Sequence, residues 1–214
     1  METEDNRDFT TEEIRQTTMS IDHKKAPGED GITSRILMWT FECFPQLVTS
    51  LYNGCLRKGC FPKRWKRARI IPVIKPGKEK CKDASKYRPI SLLNVRGKVL
   101  EKLLINRIMH FLNSNDLLNQ NQFGFSPQKS TTDAAMAVKD FIEEALTKGQ
   151  IIMVSLDVKG TIDAAWWPSI LQALKEFQCP RNLYNLTKNY FCERSAFIST
   201  NSMRIDTTLN KGCP

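Results

Sequence analysis

Residues 151–156, Ile-Ile-Met-Val-Ser-Leu, form a nearly unbroken apolar run that ends on Asp157. The run barely alternates and lies between Gly149 and Gly160, so it reads as a strand covered on both faces. Such a strand demands a sheet with other elements packed above and below it. The carboxylate at its end must be exposed, hydrogen-bonded or bound to a cation, because unpaired burial costs several kcal/mol or forces protonation.

The remaining chain supplies the other elements. Thr10 with Glu13 forms a capping-box signal for a helix over residues 11–19. The segment 24–32, KKAPGEDGI, is a loop, because Pro27, Gly28 and Gly31 break any regular element. Ile36, Leu37 and Trp39 mark one amphipathic helix, and Leu47, Val48, Leu51, Tyr52 and Cys55 mark the next. From 67 to 78 the pattern becomes short and β-branched, closed by Pro76 and Gly77, which predicts a strand with an edge or bulge at Pro72. YRPISLLN (87–94) continues extended. Val99, Leu100, Leu103, Leu104, Ile108 and Leu112 predict a helix over 96–112. Further helices are expected over 131–146, 167–177 and 181–191, with a final hairpin turning at Asn201 and Ser202. Helices and strands mix without regular alternation, so the predicted class is α+β, helix-rich with a small antiparallel sheet.

Charge sharpens the reading. Between Arg57 and Lys82 eleven lysines and arginines face a single acid, Glu79, so this block carries the whole net charge of +9. With Phe61, Trp65, Ile70 and Ile71 interleaved, it sits on folded structure and suggests a polyanion partner. Lys63, Arg64, Lys66, Arg67 and Arg69 are the expected nucleic-acid contacts. The seven cysteines are odd in number and form no CxxC pair, which points away from zinc and toward reduced intracellular thiols. No apolar run approaches the roughly 20 residues of a membrane span, and the acidic start is unlike a secretory signal.

Six blocks occur in a fixed order: KAPGEDGI, IIPVIKPGK, YRPISLLNVRGKVLEKLLINRI, NQFGFSPQKSTTDAA, VSLDVKGTIDAAWW and the terminal KGCP. In order and spacing they resemble the reverse transcriptase of a non-LTR, LINE-like retrotransposon of the insect type, over nearly all of residues 24–214. The resemblance implies a right-hand polymerase. An extension (1–23) would precede fingers (24–150), and an incomplete palm would begin at 151.

It also implies the roles. Asp157 matches the first metal-binding aspartate of the palm, which with the backbone carbonyl of Val158 would hold Mg²⁺ for two-metal nucleotidyl transfer. Lys75 and Arg88 match residues that meet the phosphates of the incoming deoxynucleoside triphosphate. Ile162 stands where the family carries an aromatic under the nucleotide sugar, and Ser126 where a basic residue is common. The implied partners are an RNA template and a DNA primer. The later palm blocks, with their paired aspartates, do not occur before Pro214. The expectation is therefore a polymerase fragment inactive by itself, the alternative being a catalytically silent nucleic-acid-binding module.

Overall fold

Helix boundaries follow local chemistry. In the computed structural model, which describes residues 3–76, 83, 86–158, 160–200 and 203–212 and only the backbone of 162 and 163, α1 spans Thr11–Met19. It opens on the full capping box: the Thr10 hydroxyl accepts from the Glu13 amide, and the Glu13 carboxylate accepts from the Thr10 amide. Thr33 caps α2 (Ser34–Cys43), and Pro45 starts α3 (Pro45–Lys58). Gly59 ends α3 in the left-handed conformation, φ 57°. A 3-10 turn over Lys63–Trp65 leads into β1 (Arg67–Ile74), followed by β2 (Tyr87–Leu92) and α4 (Val95–Ser114). Then come α5 (Thr131–Lys148), the short α6 (Thr161–Ala164), α7 (Trp167–Glu176), α8 (Arg181–Phe191), β3 (Arg194–Ser199) and β4 (Arg204–Leu209). The β3–β4 hairpin forms as expected, while its turn at 201–202 lies outside the described residues.

The chain divides into two compact units, residues 1–109 with 162–214, and residues 110–161. The first unit holds the sheet, in strand order β2-β1-β3-β4. The outer ladders are antiparallel, but β1 and β3 run parallel, from Arg67 opposite Ser195 to Arg69 opposite Phe197. The sheet is therefore mixed rather than antiparallel. β3 returns after a long, largely helical excursion, and nothing like a tight hairpin constrains its direction. One face of the sheet is closed by Ala68, Leu93 and Ala196, with Ile70 and Leu209 against them. α4 presents Val95, Val99, Leu100, Leu103, Leu104 and Arg107 inward at the helical period. An aromatic group of Tyr52, Phe61, Trp65 and Tyr190, with centroids 4.9–6.4 Å apart, ties α3, the 3-10 turn and α8 together.

The N-terminal residues are built into this unit. The Asn182 amide accepts from Asn6 N–H (2.9 Å) and donates to Asn6 C=O (2.8 Å), and Asn53 does the same for Phe9. The buried Arg107 guanidinium donates to both Glu13 carboxylate oxygens (2.8 Å), to the Asp8 carbonyl (2.9 Å) and to Asn6.

In the second unit α5 begins on a capping box of Ser130 and Asp133 and buries no residue. A cavity of about 420 Å³ is lined by Ala134, Ala137, Val138, Phe141 and Ile142 of α5 and by Ile151, Ile152 and Met153. The apolar run itself corrects the sequence reading: residues 151–158 form no strand, and Ile152 and Leu156 are 89% and 87% exposed. Apolar, β-branched composition favours a strand only where ladder partners and covering side chains exist. Among the described residues the strands of the sheet are β1 to β4, and the run is not one of them.

Candidate nucleic-acid interface

Alternation along paired strands decides which side chains share a surface. In β1, Arg67, Arg69, Ile71 and Val73 lie on the face opposite Ala68. Register places Arg88 opposite Val73, Ile90 opposite Ile71, and Phe197 opposite both Arg69 and Asp206. Arg204, two residues before Asp206, joins the same face. One face of the sheet therefore packs on the core, and the other carries Arg67, Arg69, Arg88 and Arg204. Arg69 and Arg88 are exposed and make no ion pair among the described residues. Lys75 is one step beyond β1. Its amide donates to the Lys86 carbonyl (2.9 Å), so Lys75 and Arg88 belong to one hairpin.

Much of the basic block is already engaged. Arg57 pairs with Asp8, and Lys63 with Glu193 at 3.0 Å. Lys66, read from sequence as a nucleic-acid contact, is only 4% exposed. Its ammonium donates to the Asn189 carbonyl at 2.9 Å. The 3-10 turn buries Trp65 and carries Lys66 inward with it, and burial lowers the Lys66 pKa. No ammonium is left there for a phosphate. Arg67 pairs with Asp206 and, at 3.7 Å, with Glu29; Arg204 reaches Asp206 at 3.0 Å and Glu29 at 3.1 Å. Hydrogen bonds from Arg67 and Arg204 hold the Asp206 carboxyl below its ordinary pKa. Both guanidinium groups stack on Phe197, 4.9 and 4.0 Å from its centroid. Arg64 and Arg69 are the members of the predicted set that remain exposed without an ion pair among the described residues. Arg204 escaped the sequence reading because its place beside Arg67 comes from pairing across 137 positions. The i, i+2 spacing of Arg204 and Asp206 was the available signal.

In the second unit Asp157 and Val158 are exposed and lie in the irregular run. The Thr161 hydroxyl donates to the Val158 carbonyl at 2.7 Å. Ile162 has its backbone at the start of α6, while its side chain lies outside the described residues. In the turn before α5, Phe125 is fully exposed at φ 57°, while Phe123 is half-buried. Ser126 closes the turn on the Gln122 carbonyl (2.8 Å).

The family model described as reverse transcriptase (RNA-dependent DNA polymerase) matches residues 75–214. The chain belongs to this family. It is similar to the RNA-directed DNA polymerase from mobile element jockey of Drosophila melanogaster, 33% identical over 91% of this chain and 21% of that protein. It is equally similar to the jockey polymerase of Drosophila funebris, at 33% over 91% and 21%. The retrovirus-related Pol polyprotein from type-1 retrotransposable element R1 of Bradysia coprophila is 32% identical over 97% of this chain and 20% of its own length. These relatives are non-LTR retrotransposon proteins, and the chain spans about a fifth of their length. The reverse transcriptase match contains Lys75, Arg88, Asp157 and Val158. No group of three His, Cys, Asp or Glu side chains suited to a metal occurs among the described residues. Asp157 alone does not fit a pair of hard divalent cations, which need several oxygen ligands each.

Proposed function

We propose that this chain is the nucleic-acid-binding and nucleotide-binding part of an RNA-directed DNA polymerase, working on an RNA template and a DNA primer with deoxynucleoside triphosphates. The observation that carries it is the sheet face on which Arg69 and Arg88 both stand exposed, four positions apart along the β1–β2 ladder, in a reverse transcriptase chain. Arg64 and Arg69, helped by Lys63 and Arg67, meet phosphodiesters. Lys75 and Arg88 on one hairpin meet the triphosphate, the first as a point charge and the second as a planar fork. Because these contacts are to phosphate, binding is insensitive to base sequence and weakens steeply with salt.

Asp157 and the Val158 carbonyl are assigned to Mg²⁺ in the longer polymerase, and Ile162 to the sugar of the nucleotide. The residues present account for binding and positioning. Two cations require further carboxylates, and no step through them is derived from this chain.

The test is made in the longer polymerase. Asp157→Asn is expected to abolish primer extension while an RNA–DNA hybrid still binds within about twofold of wild type. Near wild-type extension by that variant removes Asp157 from the site. Arg69→Ala with Arg88→Ala is expected to weaken hybrid and nucleotide binding, and unchanged affinities would sink the assignment of the sheet face. Salt-sensitive binding with no extension in the longer protein would favour the silent module.

A further inference from the structure

Glu29 and Asp30 belong to the glycine-containing loop between α1 and α2, and both carboxylates lie against arginines. Arg204 reaches Glu29 at 3.1 Å, Arg67 reaches it at 3.7 Å, and Arg96 donates to Asp30 at 2.7 Å. Beside them is a cavity of about 310 Å³ lined by Glu29, Asp30, Arg64, Arg67 and Asn94. Arg64 points no ion pair elsewhere among the described residues. Four guanidinium groups thus lie around two carboxylates supplied by one short loop, while Asp206 of β4, which does not belong to the loop, also pairs with Arg67 and Arg204.

The floor under this loop is incompletely satisfied. Asn94 is 3% exposed; its amide nitrogen donates to the Arg64 carbonyl at 3.0 Å, but its Oδ1 is buried without a partner among the described residues, as is Nε of Arg96. Gly28 covers that oxygen so closely that an added Cβ would lie 2.3 Å from it. Closure therefore hides polar atoms that water would satisfy if the loop lifted. What holds the loop down is ion pairing: the Glu29 pairs keep 35–41% of their side-chain surface exposed and are weakened by salt, while Asp30, at 19%, is the more sheltered carboxylate.

We propose that Glu29 and Asp30 are an internal anion plugging a phosphate site made by Arg64, Arg67, Arg96 and Arg204, and that the phosphodiesters of a nucleic-acid strand displace them as the loop lifts. The proposal rests on the reading that this face meets nucleic acid, and it adds a gate to that surface. The exchange is balanced in charge: carboxylates leave the guanidinium groups as phosphates arrive, and the buried Asn94 and Arg96 atoms become hydrated. Guanidinium forks suit either anion. A carboxylate on the loop is tethered, so the incoming strand must offer several phosphates together to compete.

The experiment measures binding of a labelled single-stranded RNA at low salt by anisotropy. It compares wild type, Glu29→Gln with Asp30→Asn, and a control of equal charge change, Glu42→Gln with Glu176→Gln. The plug variant is expected to bind roughly three- to tenfold more tightly than wild type and the control less than about twofold more tightly. Equal gains in the two variants overturn the plug. A gain for free deoxynucleoside triphosphate but not for the strand overturns the strand assignment. A second measurement needs neither substitution nor strand. Hydrogen exchange is followed at the amides of Gly31, bonded to the Gly28 carbonyl, and Ile32, bonded to Asp30 Oδ1, while inorganic tripolyphosphate is added. Faster exchange there supports displacement, and unchanged protection at saturating anion overturns it. Insensitivity of strand binding to Arg69→Ala with Arg88→Ala would instead remove the exposed sheet face and leave the plug to stand on the exchange result.

Discussion

The side-chain amide of Asn53, on α3, holds both backbone groups of Phe9: it accepts from Phe9 N–H at 2.7 Å and donates to Phe9 C=O at 3.0 Å, both buried. A side chain here replaces one rung of a β-ladder, and this lets an irregular N-terminal segment lie against helices with its polar groups satisfied. Asn53→Ala leaves a buried donor and a buried acceptor without partners, and is expected to cost about 2–4 kcal/mol. Asn182→Ala, whose bonds to Asn6 are only partly buried, is expected to cost about half as much. Urea unfolding with an unchanged m-value is the check. A loss near zero for Asn53→Ala would mean that the segment is not part of the cooperative fold.

Gly28 and Gly31 separate two reasons for glycine in one loop. A Cβ at Gly28 would come within 2.3 Å of Asn94 Oδ1 and 2.6 Å of its backbone nitrogen, whereas nothing lies within 4 Å of Gly31, which instead adopts φ +67°. Gly28→Ala is expected to cost about 1–3 kcal/mol by overpacking against main chain, and Gly31→Ala about 1 kcal/mol through conformation alone. Thermal unfolding ranks them, and the reverse order would show that the loop moves aside freely.

Lys66 and Arg64 test how burial redistributes a basic block. Arg64→Ala with Arg69→Ala is expected to weaken hybrid binding and to reduce the slope of log affinity against log salt by about 2. Lys66→Ala is expected to lower stability, because Asn189 loses its ammonium partner, while leaving that slope unchanged in the folded protein. A Lys66 variant with a reduced slope would place its ammonium on the nucleic acid.

The contrast between these residues shows what the chain discloses before it folds. Caps and breakers act over three or four positions, so Thr10 with Glu13 and the Arg181–Phe191 helix were legible in sequence and occur where expected. Arg88 and Lys75 were legible as candidates because their blocks are distinctive. The inward turn of Lys66 was not, since it depends on Trp65 finding a core made by α3 and α8. Nor was the ring of Arg67, Glu29, Arg204 and Asp206, because it depends on a parallel strand pairing that no local signal encodes. Residues 151–158 failed for the complementary reason. Their composition announces a strand, but a strand is a relationship between segments.

Acid should loosen the N-terminal segment in a defined direction. Burial pushes the Glu13 carboxyl up, but hydrogen bonds from Arg107 and from the Thr10 amide and hydroxyl outweigh it and hold the pKa below its ordinary 4.5. A carboxyl with a lower pKa when folded adds stability that is present above the unfolded value and is lost as pH falls through the folded one. Stability is expected to decline as pH drops below about 4.5, and Glu13→Gln is expected to flatten part of that decline while lowering stability at neutral pH. Urea midpoints across pH 7 to 3 measure both. An identical pH slope in the variant would take Glu13 out of the linkage.

The apolar surface of the second unit sets the last expectation. Ile152 and Leu156 stand 89% and 87% exposed and Val154 74%, and Phe141 on α5 is 67% exposed beside the apolar cavity. Segments with free backbone groups and bare β-branched or leucine side chains recruit one another, because edge pairing and apolar burial are both available between copies. Residues 1–214 in isolation are therefore expected to self-associate with rising concentration. Ile152→Lys with Leu156→Lys is expected to suppress that association, since a lysine on an unpaired edge repels a second copy and keeps its charge in water. Light scattering and sedimentation at increasing concentration follow the effect, with Ile36→Lys and Leu47→Lys in the first unit as the matched control, these two also being exposed. If only the control pair restores a monomer, association runs through α2 and α3 and the 151–158 segment is not adhesive.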